Sequence, residues 1–489
     1  KSKQGSGLVA LLDAGGAKVD ASDVYDGAKR VTLKPSAGLN AYASYRLIVD
    51  SGLKSAAGEA ILTGKVIRIR TGLDTSDKFP QISDEELLTK VQQQTFRYFW
   101  EGAEPTSGMA RERTSSGATV TTGGTGFGVM AMTVAAERGF VTRSEACQRV
   151  QRIVTFLAER ATSYHGAFSH WIDGQTGQTL PFSADDNGAD LVETGLLFQG
   201  LLTARAYFDG ADAAESKLRA DITALWEAVE WDFFTKEGTE KVLYWHWSPD
   251  KGWAMNMPIQ GWNEALIVYV LAASSPTHPI GREVYAEGWA RGGAMRNGKL
   301  FYDTVLPLGE DYGGPLFWAQ YSFLGLNPRG LSDAYADYWE QVCNHTRINY
   351  AYCVDNPKGY AGYGADCWGL TASDIPDGYT ASSPTNDRGV IAPTAALSSM
   401  PYTPDESMAA LRFFYYKLGD KLWSDYGFID AFDLTTGWFD RGMHIAIDQG
   451  PIVVMIENYR TGLPWNLFMS DKDVQRGLAE LGFTVEAGS

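Results

Sequence analysis

Ser83-Asp84-Glu85-Glu86, running on through Leu87 to Trp100, is where the pattern of the chain changes. A serine followed by three acids is a helix start. The hydroxyl accepts from free backbone N–H groups, and carboxylates favour the positive end of the helix dipole. Upstream, residues 8–12, 30–33, 42–49 and 65–70 alternate in polarity and are rich in β-branched types, which predicts strands. Turn-formers such as Lys34-Pro35-Ser36-Ala37-Gly38 and the stretch from Gly52 to Gly58 separate them. Downstream, helical patterns cover 87–100, 126–138, 143–162, 189–208, 211–234, 262–273, 282–291, 315–324, 332–347, 390–398, 404–418, 449–460 and 471–481. Residues 1–75 therefore read as a small β-sandwich and residues 82–489 as a helical domain. An immunoglobulin-like sandwich needs about 100 residues and seven strands, so the N-terminal module is expected to be truncated. The helical connections are long and rich in glycine and aromatic residues, the kind of loop that carries function. The expected fold class is mainly α: an (α/α)6 toroid, with inner helices ringed by outer ones, and an irregular helical bundle as the rival.

Composition narrows the function classes. The 489 residues carry a formal charge of −17, with 44% hydrophobic and 21% charged residues. These are globular values. The longest apolar run, residues 265–273, falls far short of the ~18 residues of a membrane span. Acid excess argues against nucleic acid or an anionic membrane as main partner, since both need basic surface. Cys147, Cys343, Cys353 and Cys367 form no CxxC pair. Buried thiols are the expectation, with a Cys353–Cys367 bridge left open. There are 6 His and no HExxH pattern, so no catalytic metal is expected. Gly123-Gly124-Thr125-Gly126-Phe127-Gly128 opens a helix without the βαβ context of a dinucleotide site, so no cofactor is expected either. Its backbone N–H groups could still serve a substrate hydroxyl.

Three sets of acids stand out. In Ala184-Asp185-Asp186-Asn187-Gly188-Ala189-Asp190-Leu191-Val192-Glu193-Thr194, a helix begins whose stripe Asp190, Leu197, Leu201, Ala204 and Phe208 is apolar beyond its first turn, with Glu193 flanking it. First-turn acids also complement the helix dipole, and position alone leaves the two readings level. In Gly261-Trp262-Asn263-Glu264, a carboxyl enters the apolar segment 265–273, where desolvation raises its pKa. That shift is what a general acid needs. In Ile447-Asp448-Gln449-Gly450-Pro451, Asp448 reads as a base or simply as a helix N-cap. Aromatic residues accompany these acids in loops: Trp171 beside His170, Trp262 beside Glu264, Trp318 after Gly313-Gly314-Pro315, Tyr363 and Trp368 in the 359–369 loop, and Trp465. Rings beside carboxylates suit the apolar faces of pyranose sugars, and paired carboxylates suit glycoside hydrolysis. Arg111, Arg113, His170 and Asp173 read either as lining the same cleft or as solvent-facing ion partners.

Phe96-Arg97-Tyr98-Phe99-Trp100, Gly108-Met109-Ala110-Arg111-Glu112-Arg113, Asp190-Leu191-Val192-Glu193-Thr194, Gly261-Trp262-Asn263-Glu264 and Asp448-Gln449-Gly450-Pro451 resemble, in this order, glycoside hydrolase family 144. This group of bacterial endo-β-1,2-glucanases was earlier labelled glucoamylase-like. The stretch 31–58 resembles bacterial Ig-like modules. The family resemblance, over about residues 82–485, implies the (α/α)6 barrel and anomer-inverting hydrolysis of β-1,2-glucan. It carries the acid role to Glu264, further acidic roles to Asp190 and Glu193, and a base role to Asp448. The expected partner is a glucan. Alternatives are an α-glucan hydrolase and a non-catalytic glycan-binding protein of a surface uptake system. The chain is expected to be monomeric and bacterial, from the periplasm or the outer-membrane surface, with Lys1 fitting a trimmed start.

Overall fold

The structure, a computed structural model, describes residues 8–25, 30–54 and 57–486. Positions 1–7, 26–29, 55–56 and 487–489 of the two expected modules lie outside the described residues. The chain divides into two compact units, Lys1–Asp77 and Lys78–Ser489.

The first unit is built of strands β1 (Val9–Leu12), β2 (Ala21–Tyr25), β3 (Val31–Pro35), β4 (Ser44–Val49) and β5 (Lys65–Arg70). A three-stranded antiparallel sheet runs β1-β4-β5, with Leu11 opposite Leu47 and Tyr45 opposite Ile69. β2 and β3 pair separately, Asp23 opposite Leu33. Only Leu11 and Tyr45 are fully buried apolar side chains among its described residues, so the core is thin. β2 was not anticipated, because Ala21-Ser22-Asp23 lacks the β-branched signal.

The second unit is helical. Its helices are α1 (Asp84–Trp100), α2 (Thr122–Glu137), α3 (Arg143–Glu159), α4 (Leu191–Tyr207), α5 (Ala213–Glu227), α6 (Leu266–Ser274) and α7 (Tyr338–Asp355). α8 (Pro393–Leu397), α9 (Pro404–Arg412), α10 (Gly419–Leu422), α11 (Ala446–Arg460), α12 (Leu463–Met469) and α13 (Lys472–Leu481) follow. Among the described residues, no helix is long and apolar enough to cross a membrane.

The helices sort by their sequence. α1 and α3 carry full capping boxes, Ser83 with Glu86 and Thr142 with Glu145, and bury one face only. Each cap contributes about 1 kcal/mol. α2, α4 and α6 are buried on nearly every face, as uniformly apolar helices must be. α2 packs on α4 and α11, α4 on α6, and α11 on α8. α1, α3, α5, α9 and α13 pack outside these.

Two contacts lock the inner helices. A Cβ on Gly200 of α4 would lie 2.1 Å from the Gly126 carbonyl oxygen of α2. One on Gly126 would lie 2.3 Å from the Leu196 carbonyl oxygen, so only paired glycines allow the approach. At the far end of α2, buried Glu457 of α11 takes Arg138 through both oxygens, 2.7 and 3.0 Å, and Gln92 of α1 at 3.0 Å.

Several helix boundaries differ from expectation. Residues 315–324 form two 3-10 turns, Leu316–Ala319 and Ser322–Leu324, and 284–289 a π turn. In the first case Leu316 N–H donates to the Leu370 carbonyl and the Gln320 amide to Ala395 O, so tertiary bonds replace helical ones. The helix expected from 332 starts at Tyr338, because Ser332 is in a strand with Thr484 and Asp337 caps the helix instead. α12 was not anticipated. All four cysteines are buried free thiols.

Gly200→Ala would force a methyl group into a backbone oxygen. The expected cost is about 1–3 kcal/mol, the usual range for overpacking. Calorimetry should show a melting temperature lower by several degrees, and an unchanged one would contradict the close approach.

Candidate active site

The starts of the inner helices surround one cavity of about 360 Å³. Short extended lead-ins aim the residues that line it. Strand Thr119–Thr121 runs into α2 and pairs with Trp171–Asp173, setting Thr121 opposite Trp171. Strand Ala189–Asp190 runs into α4 and pairs with His246–Trp247, setting Asp190 opposite His246. Arg113 bridges to Ile445, the residue before α11, and Ala446 N–H donates to the Glu112 carbonyl.

Asp190 is the N-cap of α4. Its Oδ1 accepts from Val192 and Glu193 N–H at 3.0 and 2.9 Å, and its Oδ2 lies 3.1 Å from His170 Nδ1. One side chain therefore caps the helix and meets His170. With only 1% of its surface exposed, both of its oxygens are engaged. Burial opposes its charge, but His170 and His246 hold its pKa below the ordinary carboxylate value. Glu193 reaches from α4 to the start of α2: its Oε2 accepts from Gly123 N–H at 2.6 Å and from the Thr121 hydroxyl at 3.2 Å. The glycine-run N–H expected to meet a substrate thus binds a carboxylate of the protein. Burial still pushes Glu193 up, against the pull of His170.

Burial opposes a charge on His170 too, yet Glu193 and the bond to Asp190 outweigh it and raise its pKa to about 9. His246 Nε2 lies 3.4 Å from Asp186 and 3.7 Å from Asp190. Burial and the Asp190 charge push Asp186 up to about 7.

Glu264 lines the cavity from the residue pair before α6, not from its first turn. The Ser322 hydroxyl donates to its carbonyl and Asn263 accepts from Ala265 N–H, which fixes the approach. Burial pushes its carboxyl up to about 7, opposed by a backbone hydrogen bond and reinforced by the charges of Asp190 and Glu193. Asp448 lies within the first turn of α11 rather than at its N-cap, which is Ile445. It is buried and does not line the cavity, whereas Ile445 and Ile447 beside it in the sequence do. Burial and neighbouring Asp430 hold it well above the carboxylate range, and Asp430 itself is pushed to about 7. A side-chain hydrogen bond joins the two carboxyls.

Arg113 lines the cavity but is tied down, 2.9 and 2.8 Å from the two oxygens of Asp374 and 2.8 Å from Glu112. Among the described residues, two clusters hold metal-type ligand atoms within 4.8 Å of one another, His170 with Asp186 and Asp190, and Asp374 with Asp430 and Asp440. Each already contains a cationic side chain bonded to one of its carboxylates.

Of the expected binding residues, Arg113, His170 and Trp171 line the cavity. Others do not. Arg111 is used structurally, donating to the Gly117 and Gly102 carbonyls. Trp262 is buried against Phe323 and Tyr338. Trp318 packs edge-on to Phe317 and over Gly314, off the cavity wall. The Tyr363 hydroxyl bonds Asp387, the Trp368 Nε1 donates to Glu406 O, and the Trp465 Nε1 to Phe323 O. Asp173 closes a turn, accepting from Gln175 and Thr176 N–H. The physical reason is shared. Most of their polar tips, those of Arg111, Tyr363, Trp368 and Trp465, are bonded to other segments of the protein. Sequence reasoning missed Phe182, Trp245, Phe317, Tyr321 and Tyr379, which also line the cavity. Phe182 is 51% exposed and sits 4.4 and 4.8 Å from the His170 and Trp171 rings.

Comparison with known proteins gives a consistent picture. A family model described as "Putative glucoamylase" matches residues 256–472. A solved structure described in the same words, from Bacteroides uniformis, is 57% identical, with a TM-score of 0.82, covering 84% of this chain and 100% of that one. An endo-β-1,2-glucanase from Chitinophaga pinensis, solved with sophorotriose and glucose, is 51% identical with a TM-score of 0.80, covering 83% of this chain and 99% of that one. An exo β-1,2-glucooligosaccharide sophorohydrolase (non-reducing end) from Parabacteroides distasonis is 48% identical over 421 residues, 82% of this chain. The chain spans 58% of that relative's length.

Asp190→Asn keeps a good N-cap but removes a charge from His170. The His170 pKa should then fall from about 9, read by NMR titration of the imidazole protons. An unchanged value would mean that Glu193 alone sets the charge.

Proposed function

Because the chain belongs to the family of the bacterial β-1,2-glucanases, glycoside hydrolase family 144, we propose that it hydrolyses β-1,2-glucan to sophorose or short β-1,2-gluco-oligosaccharides by an inverting acid/base mechanism. The observation that carries this reading is Glu264, a cavity-lining carboxyl raised to about 7 with no cation to lower it. Such a group keeps its proton near neutrality and can deliver it to the leaving glycosidic oxygen. Asp190 and Glu193 have their oxygens bonded to helix N-termini and to His170, which suits them to hold the acid's surroundings negative rather than to activate water. Asp448 is the acceptor in this reading. With Asp430 it forms a pair of buried carboxyls that share a proton and leave one ionised group. Because it is buried and does not itself line the cavity, it acts through an intervening water or sugar hydroxyl. A direct inverting pair is roughly 6.5–9.5 Å apart, and a relay extends that reach. Trp171 and Phe182 provide apolar faces for pyranose stacking. His170 and Arg113 border the same space.

The helix packing, with the five helices α2, α4, α6, α8 and α11 inside and the five helices α1, α3, α5, α9 and α13 outside, supports a double ring of the (α/α)6 kind, one inner and one outer helix short of the full set among the described residues. The antiparallel sheet and hairpin of the first unit support a partial Ig-like module. A monomer at the bacterial periplasm or outer-membrane surface remains part of the proposal.

Incubation with linear β-1,2-glucan, starch and laminarin, with products sized by chromatography, tests the substrate. Cleavage of β-1,2-glucan alone is expected, whereas starch cleavage would favour the α-glucan reading and binding without products a glycan-binding role. Proton NMR should show the α-anomer as first product, and the β-anomer would refute inversion. Glu264→Gln should lower kcat by about 10²–10⁴-fold. Since the acid works only when protonated, the wild-type rate should fall as pH rises through about 7, and that limb should be absent in Glu264→Gln.

A further inference from the structure

Tyr321 sits between the two 3-10 turns where a helix was expected, in the stretch Gln320-Tyr321-Ser322. Its carbonyl accepts from the Gln199 amide at 2.9 Å, which ties it to α4. Its ring is wedged between Phe127 and Phe317, with centroids 5.0 Å from each. The side chain is 5% exposed and lines the cavity. The hydroxyl has no hydrogen-bond partner. Leaving such a buried group unpaired costs about 1–3 kcal/mol, so an unpaired hydroxyl at a cavity wall is matched to something that enters.

The surroundings say what that is. Burial, reinforced by the neighbouring acids Asp448, Glu264 and Glu193 and by Tyr379, holds the phenol's pKa well above the ordinary value. It therefore keeps its proton and serves as a donor. The acids around it are acceptors when ionised. Of the cations in the wall, Arg113 is already committed to Asp374 and Glu112, and His170 Nδ1 to Asp190. A sugar hydroxyl both gives and takes a hydrogen bond. An ionised carboxylate of the wall can take its proton, and the Tyr321 hydroxyl can give one to its lone pair.

We propose that the Tyr321 hydroxyl donates a hydrogen bond to a hydroxyl oxygen of the glucosyl unit held beside Glu264, making Tyr321 a substrate-contacting catalytic residue. This rests on the reading of the cavity as a β-1,2-glucan site. The bond fixes the sugar against the Phe317 ring while Glu264 delivers its proton. No covalent step passes through the phenol.

Tyr321→Phe removes one oxygen and no apolar contact. A fall in kcat of about 10²-fold on β-1,2-gluco-oligosaccharides is expected, the usual loss for one preorganised donor, with a smaller change in KM. The melting temperature should hold or rise, because an unpaired buried hydroxyl is removed. Wild-type kcat in Tyr321→Phe overturns the proposal, whatever the melting temperature. Glu264→Gln in the same assay separates the two claims. If it is inactive while Tyr321→Phe is fully active, the acid reading stands and this one falls. If it is fully active, the acid reading itself fails. A second measurement does not depend on the tyrosine variant folding: a crystal structure of Glu264→Gln with a β-1,2-gluco-oligosaccharide. The Tyr321 Oη should lie within about 3.2 Å of a sugar oxygen, and a gap beyond about 4 Å would overturn the assignment.

Discussion

The approach of α2 to α4 through Gly126 and Gly200 is the constraint on which the rest of the helical unit depends. Ordinary side chains keep helix axes about 8–10 Å apart. Here a backbone oxygen fills the place of a Cβ. That closeness lets a carboxylate on α4, Glu193, reach the N-terminus of α2 and accept from Gly123 N–H. A Cβ on Gly123 would itself lie 2.8 Å from Glu193 Oε2. Packing and chemistry are therefore one contact. Separating the helices by a methyl group withdraws the carboxylate from the N–H it caps, and with it the charge that holds His170 protonated.

The second organising device is the short strand ahead of α2 and of α4. An extended residue projects its side chain sideways before the helix begins, and pairing with a distant strand brings a second residue beside it. Asp190 thereby meets His246, and Thr121 meets Trp171. Helices alone would point these groups along their own surfaces. The lead-ins turn them into the space that the helix starts enclose.

Much of this was legible in the chain. The capping boxes of α1 and α3 are local, and local signals are read without knowing the partner. The apolar character of α2, α4 and α6 on all faces follows from composition. Asp190, Glu193 and Glu264 stood out because each interrupts an apolar segment. What was not legible depends on contacts across the sequence. Whether Trp368 or Trp465 faces a cleft is decided by a carbonyl on another segment that happens to accept its N–H. His246 and Asp430 gain their interest from Asp190 and Asp448, which no spacing rule links to them. The turns at 315–324 looked helical because the residues are apolar, but their hydrogen bonds run to Leu370 and Ala395.

Burial alone does not decide what the acids do. Glu457 is as buried as Asp448, yet Arg138, with help from Thr461 and Gln92, brings its pKa down. Asp190 is held down by two histidines. Glu264 and the Asp430–Asp448 pair have no directly bonded cation, and they are pushed up. The distribution of cations therefore sorts buried acids into permanent charges and proton carriers. The net charge of −17 has no part in this, because most acids lie on the surface in water. What matters is that the arginine at the cavity, Arg113, is spent on Asp374 and Glu112. Its charge is felt by Asp430 and Asp448 and lowers the pKa of both against their burial. Glu264 has no such influence on it: burial and the charges of Asp190 and Glu193 raise it, so it keeps its proton near neutrality.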